Sequence, residues 1–156
     1  MKGSDVGGTK LAGIIFDAGV NSPVLLQVGK SAEREREGAP AAITQIQDVF
    51  FRVGGATPGQ ARTSLVVNNS NVLLDDIWAW RADHGQGVGW TVNTSDTGVV
   101  VSGDDVTATG LFSEHFQKEN VIWSGERGRT IFFQNELPYD APNQAAWQRD
   151  GILGCA

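Results

Sequence analysis

TSLVVNNSNVLLDDIWAWRAD spans Thr63–Asp83, and two similar stretches follow it: TGVVVSGDDVTATGLFSEHFQ (Thr97–Gln117) and NVIWSGERGRTIFFQNELPYD (Asn120–Asp140). Each copy contains a short β-branched run, a polar turn, a second apolar run and then an aromatic or charged end. A period of roughly 20–35 residues with two strands in each copy is typical of a β-solenoid. One copy cannot bury its apolar face alone, so the copies are expected to stack.

Aligning the three turns predicts which residues stack on one another in neighbouring coils. The columns up to the turn are Val67, Val101 and Trp123; Asn68, Ser102 and Ser124; and Asn69, Gly103 and Gly125. The columns after the turn are Val72, Val106 and Ile131; Leu74, Ala108 and Phe133; Trp78, Phe112 and Leu137; Trp80, Glu114 and Tyr139; and Arg81, His115 and Asp140. Parallel strands lie about 4.8 Å apart, so the residues of one column are expected to touch.

The composition is that of a globular protein made of many short segments. The chain has 156 residues, of which 40% are hydrophobic, 19% are charged and 20 are Gly. Frequent Gly, Asp and Asn at the segment ends favour strands joined by turns over helices. The net charge of -6 argues against a nucleic-acid partner, which requires a basic face.

Targeting and covalent features are sparse. No run of 18 apolar residues occurs, so no membrane span is expected. The start of the chain, MKGSDVGGTK, lacks the apolar region of a secretory signal. The single cysteine, Cys155, excludes an intrachain disulfide, and we interpret it as a spare thiol near a frayed end.

The flanks of the three copies extend the same pattern into one domain. Leu11–Asp17, Pro23–Lys30 and Asp48–Val53 are predicted strands, whereas Ser31–Ala42 is predicted to be a charged surface insertion. Residues 141–156 are predicted to form an irregular cap, with Trp147 and Ile152–Leu153 folding back over the end of the stack. Open solenoid ends also leave room for a homo-oligomer.

DVGGTK, at Asp5–Lys10, has two interpretations. It resembles the phosphate-binding opening of ROK-family sugar kinases, in which Asp5 would face metal or phosphate. Gly7, Gly8 and Thr9 would then bring backbone amides to the phosphate. The zinc motif of that family needs several cysteines, and this chain has one. We therefore favour a Gly-Gly turn that leads into the first strand.

Five stretches carry a longer resemblance: DVGGTKLAG, NSPVLLQVG, DVFFRVGGATPGQA, LLDDIWAWRADHGQGVGWTVNT and IFFQNELPYD. They resemble secreted bacterial and fungal pectate-lyase-like proteins related to the exo-β-1,3-glucanases of glycoside hydrolase family 55. The resemblance implies an all-β fold, a single right-handed parallel β-helix of about five or six coils. It also implies an extracellular glycoside hydrolase that cleaves β-glucan, with no cofactor expected. Family members are usually longer, so this chain looks like a truncated version.

One edge of the predicted stack concentrates aromatic and acidic side chains. It holds Trp78, Trp80, Asp83, His84, Trp90, Glu114, His115, Glu136 and Tyr139. Sugar faces pack on aromatic rings while carboxylic acids handle protons. The expected substrate-binding residues are Trp78, Trp80, Trp90, His84, His115 and Tyr139.

Glu114 is the predicted general acid, because flanking Phe112 and Phe116 would desolvate its carboxyl group. Asp83 is the predicted base or nucleophile, with Glu136 as its substitute.

Three alternatives stay open for this edge. In the first, the carboxylates are solvated surface charges, and Arg81 pairs with Asp140 or Glu114. In the second, His84 and His115 bind a divalent metal ion. In the third, the aromatic stripe binds polysaccharide without cleaving it. Asp75 and Asp76, at a predicted strand end, are interpreted as turn formers.

Overall fold

Nine parallel strands form two sheets in the computed structural model, which describes residues 8–30 and 42–150, with backbone alone at 148–150. The strands are β1 (Lys10–Asp17), β2 (Ser22–Val28), β3 (Thr44–Val53), β4 (Ala61–Val67), β5 (Val72–Arg81), β6 (Thr97–Val101), β7 (Thr107–Glu114), β8 (Val121–Trp123) and β9 (Arg129–Glu136). Odd-numbered strands make one sheet and even-numbered strands the other, so the chain alternates between sheets as it climbs. The predicted all-β parallel β-helix is confirmed.

Several sequence predictions fall outside the described residues. They are Asp5 and Gly7 of the kinase-like motif, nearly all of the insertion Ser31–Ala42, the pair Ile152–Leu153 and the thiol of Cys155. Lys10 begins β1, as the turn-and-strand interpretation of DVGGTK predicts.

The stacking register agrees with the predicted columns up to the turn. Val67 pairs with Val101, and Val101 pairs with Trp123. In the next column, the Ser102 hydroxyl donates a 2.8 Å hydrogen bond to the Asn68 side chain. The polar turn therefore forms a ladder that ties the coils together on one side.

The predicted alignment of the third copy is wrong by three residues after the turn. Ile131 pairs with Thr109 rather than stacking on Val106, and Phe133 pairs with Leu111 rather than Ala108. The turn from Trp123 to Arg129 is as long as the turn from Val101 to Thr107, so the third coil keeps the same register on the second coil. The prediction was wrong because β9 is an exposed strand whose first two positions are polar.

This correction changes the chemistry of the edge. Glu114 pairs with Glu136 rather than with Tyr139, and Phe112 pairs with Gln134 rather than with Leu137. Two carboxylates therefore occupy one column on neighbouring coils.

A left-handed residue bends every strand of the five-stranded sheet at one level. Gly13, Asp48, Asp76, Gly110 and Phe132 all have positive φ there. In β5 the buried positions are Val72 and Leu74 before this bend, and Ile77, Ala79 and Arg81 after it. The bend thus shifts the alternation by one residue and turns Trp78 and Trp80 outward. Asp75 and Asp76 lie inside β5, not at a strand end as predicted.

The core is a column of aliphatic side chains between the two sheets. Val49, Ile77 and Leu111 stack from one sheet, and Leu65 and Val99 face them from the other. All five are fully buried. Stability therefore comes from packing between successive coils.

The end of the stack at β9 is open in the described part of the chain. Ile131, Phe132 and Phe133 are exposed. Residues Gln144–Asp150 form a helix, α1, whose start is capped by the Asn143 side chain, which accepts a 2.9 Å bond from the Ala146 amide. Residues 144–150 are therefore not irregular, since Asn is a strong cap and Ala a strong helix former.

Two further points concern the surroundings of the protein. Among residues 8–30 and 42–150, no helix has the length and apolarity needed to cross a bilayer. Association through the open ends stays a prediction.

Candidate functional site

The predicted edge exists where β5, β7 and β9 end on the outer face of the five-stranded sheet. Trp78 and Trp80 come from β5, Glu114 from β7, and Glu136 from β9. The residues that follow each strand, namely Asp83 and His84, His115, and Tyr139, complete the group. Three coils thus contribute to one surface, as stacked parallel strands require.

Glu114 is held by a residue from the coil on each side. Its side chain accepts hydrogen bonds from Trp78 Nε1 at 2.8 Å and from Gln134 Nε2 at 3.2 Å. Glu114 is 8% exposed, so the predicted burial of this carboxyl group is correct. The expected contribution of Phe116 is not, because Phe116 points into the core and is 1% exposed.

Glu136 has three polar contacts. It accepts hydrogen bonds from Gln134 Nε2 at 2.8 Å and from the Tyr139 hydroxyl at 2.7 Å, and His115 Nε2 lies 3.3 Å away. The bonds from Tyr139 and then His115 lower the pKa of Glu136. Glu136 is therefore an anion at neutral pH. Gln134 bridges it to Glu114, so the two carboxylates share one amide donor.

Asp83 joins the two histidines. Its Oδ1 atom lies 2.7 Å from His84 Nδ1 and 3.7 Å from His115 Nδ1. Burial acts to raise the pKa of Asp83, but the bond with His84, a bond to its own backbone amide and the charge of His115 outweigh it, so the pKa is lowered. The His115 ring is buried and lies 4.8 Å from the Tyr139 ring.

An aromatic surface lies beside the carboxylates. Trp78 and Trp80 stack with ring centroids 5.4 Å apart and an interplanar angle of 22°. Phe50 meets Trp78 edge-on at 6.1 Å, and His84 lies 5.1 Å from Trp80. Trp78 is 37% exposed. Such a platform matches the apolar face of a pyranose ring.

Trp90 was expected on this exposed surface, but the structure places it beneath the surface. It is 9% exposed, and its ring lies against the Arg81 guanidinium at 5.3 Å. Arg81 in turn pairs with Asp140, which was one of the two alternatives considered. An aromatic residue in a loop gives no sign of which face it packs on.

Gln134 was missed by the sequence interpretation. Its signal was its spacing, two residues before Glu136, which places both side chains on the same face of a strand. Only the correct register of β9 puts Gln134 between the two glutamates.

His84 and His115 both lie near Asp83, but they are not arranged with it as a metal centre. Within the described residues, no group of three or more His, Cys, Asp or Glu side chains is arranged to hold a metal ion. His84 is largely exposed, whereas His115 is buried behind Tyr139.

The hydrogen bond between Tyr139 and Glu136 should be visible in a titration. Accepting this bond and carrying a negative charge, Glu136 raises the pKa of the Tyr139 phenol. Glu136→Gln removes that charge, so the phenol should ionise at lower pH. Tyr139 is the only tyrosine in the chain, so phenolate absorbance reports on it alone. Glu126→Gln, at an exposed turn, is the control and should leave the titration unchanged. Identical curves for Glu136→Gln and wild type would contradict this geometry.

Comparison with known proteins agrees with this architecture. The chain is 55% identical over 157 aligned residues to an exo-β-1,3-glucanase of Streptomyces sp. (strain SirexAA-E / ActE). The match covers 100% of this chain and 26% of that relative, so the chain spans about a quarter of the length of the curated relative it matches.

Solved structures give the same result. The structure of sacteLam55A from Streptomyces sp. SirexAA-E matches with a TM-score of 0.87 and 56% identity over 93% of this chain and 26% of that one. An ensemble refinement of a variant of sacteLam55A in complex with glucose matches with a TM-score of 0.88 and 55% identity, over the same shares of both chains. The family model of the LAM55 pectate lyase-like domain matches residues 1–136. This chain belongs to the LAM55 pectate lyase-like domain family.

Proposed function

We propose that the edge formed by β5, β7 and β9 serves the hydrolysis of β-glucan, and that the polymer is β-1,3-linked. The observation that carries this proposal is the pair Glu114 and Glu136, stacked on neighbouring coils and bridged by Gln134. Glycoside hydrolysis uses two carboxyl groups that flank the scissile bond. The name of the relative, an exo-β-1,3-glucanase, supports the choice of linkage.

The two carboxyl groups have different surroundings, which suits different roles. Glu114 is buried against Trp78 and acts as the general acid. Glu136 is held ionised by Tyr139 and His115 and acts on the opposite face of the sugar, with Asp83 as the second choice. Pairs of carboxyl groups whose surroundings differ are how glycosidases separate acid from base.

Trp78 and Trp80 bind the sugar ring next to the bond that is cleaved, with His84 at the rim. Their stacked rings offer a continuous apolar surface on the outside of the β-helix. A polysaccharide of this kind is too large to be taken up intact, so the protein is proposed to act outside the cell.

The test is product release from β-1,3-, β-1,4- and mixed-linkage glucans, with and without a chelator. Soluble sugar from the β-1,3-linked polymer, unaffected by the chelator, is the expected result. Activity lost with the chelator would instead indicate a metal at His84 and His115. The anomer released identifies the partner of Glu114, because retention needs carboxyl groups about 5 Å apart, as adjacent coils provide, and inversion needs a wider gap.

A non-catalytic glucan-binding role is the second candidate. The stacked Trp78–Trp80 platform supports it, since it needs no acid to hold a sugar. Retention of the protein on insoluble β-1,3-glucan without any product would favour this role over hydrolysis.

A further inference from the structure

Arg81 is a buried cation whose hydrogen-bonding capacity is completely used. It ends β5 at an inward position and is 0% exposed. An arginine has five N–H donors, and each finds an acceptor here. Nε donates to the Asn93 carbonyl at 3.0 Å, and the two terminal nitrogens donate to the carbonyls of His115 and Gly89 at 3.2 and 3.3 Å. The remaining two donors bind both carboxylate oxygens of Asp140, at 2.8 and 2.7 Å.

These acceptors belong to three separate parts of the chain. Gly89 and Asn93 lie in the long loop between β5 and β6, His115 follows β7, and Asp140 follows β9. Trp90 of the same loop covers the guanidinium plane. Arg81 therefore fastens the connections of three coils at one point, directly behind the candidate site.

Asp140 is the anchor of the segment that carries Tyr139. The segment begins after the last strand, and Leu137 and Tyr139 are both exposed. Tyr139 nevertheless lies over His115 at 4.8 Å and bonds to Glu136 at 2.7 Å. The bidentate pair at the next residue, Asp140, fixes where that ring can lie, because a forked ion pair constrains orientation as well as distance.

We propose that Arg81 and Asp140 are positioning residues, which hold Tyr139 against Glu136 and His115 and so set the geometry of the candidate site from behind. This rests on the proposed function for its role in catalysis. The pair does not touch the sugar; it acts through Tyr139, and through the backbone carbonyl of His115, on the residues that do.

Asp140→Asn is the first test variant. It keeps the size of the side chain but removes the charge and the two-fold acceptor that Arg81 requires. The Tyr139 phenol should then titrate at lower pH than in the wild type, because its bond to the ionised Glu136 is loosened. Phenolate absorbance measures this on folded protein and needs no substrate. Arg81→Lys, which keeps a charge but loses the fork, should shift the titration in the same direction.

The matched control is Asp105→Asn. Asp105 also makes a bidentate pair, accepting from Nε and one terminal nitrogen of Arg127 at 2.8 Å each, but this pair is exposed at a turn. It should leave the Tyr139 titration unchanged. If Asp140→Asn does not fold, Asp140→Glu is the second variant. Its carboxylate still pairs with the buried guanidinium of Arg81, but the extra methylene displaces the segment that carries Tyr139. The pH at which the Tyr139 phenol ionises should then fall by a smaller amount.

The outcomes separate the positioning role from simple stabilisation. A wild-type Tyr139 titration in folded Asp140→Asn or Asp140→Glu would overturn the proposal, even where thermal stability falls. If the Tyr139 phenol ionises at lower pH in the variant and the wild-type protein hydrolyses no glucan, the positioning role stands and the proposed function falls. Where hydrolysis is found, Asp140→Asn should lower kcat more than it raises KM, and Asp140→Glu should recover part of the loss.

Discussion

Glu114→Gln should reduce sugar release from β-1,3-glucan by about 10²–10⁴-fold, the usual contribution of a general acid. The amide oxygen of glutamine can still accept the hydrogen bond from Trp78 Nε1, which holds the side chain beside that ring, whereas the bond from Gln134 Nε2 to the other oxygen is lost. It cannot deliver a proton to the leaving oxygen. Retention of the protein on insoluble glucan should therefore match the wild type. Parallel assays of product and of polymer binding measure the two effects.

Glu126→Gln is the control for this substitution. Glu126 is an exposed glutamate at the turn before β9, where its carboxylate lies 3.6 Å from Arg127. Its replacement should change neither hydrolysis nor binding. Turnover at the wild-type rate in Glu114→Gln would remove Glu114 from the mechanism and leave Glu136 and Asp83 to be tested in the same way.

Ile77→Ala should lower the free energy of unfolding by about 2–5 kcal/mol, through lost burial and the cavity left behind. Ile77 is fully buried and stacks between Val49 of the preceding coil and Leu111 of the following one. Neighbouring side chains cannot close the gap, because strands held in register on both sides have little freedom to move. Urea unfolding followed by tryptophan fluorescence measures the change.

Ile15→Ala is the comparison at an exposed site of the same sheet. Ile15 is 55% exposed on β1, so its truncation should cost within about 0.5 kcal/mol. Equal losses for Ile77→Ala and Ile15→Ala would contradict the assignment of the core to the space between the two sheets.

Repetition made the fold predictable from sequence. Each turn joins two apolar runs at constant spacing, so Val67, Val101 and Trp123 could be aligned without knowledge of the structure. The predicted register was wrong only at β9. Exposed positions of that strand tolerate polar residues, so its apolar run starts after the strand has begun. Hydrophobic pattern specifies register only where one face of a strand is buried.

The sequence predicted most of the residues of the candidate site but fewer of the contacts between them. Glu114, Glu136 and Asp83 could be assigned to one edge because stacked coils repeat their side-chain directions. Trp90 could not be placed, since it lies in an irregular loop and packs on Arg81. Gln134 depended on the register of β9. Contacts made by loops depend on tertiary packing that periodicity does not encode.

The connections between strands vary in length on both sides of the coils, since the one from Val28 to Thr44 is much longer than the turn from Val67 to Val72. Beside the Glu114 edge, the connection from Arg81 to Thr97 is longer than that from Glu114 to Val121. A difference in length at this edge therefore changes a loop without shifting a strand. A longer or shorter loop here would alter the surface around Glu114 while the stacked strands stay in register.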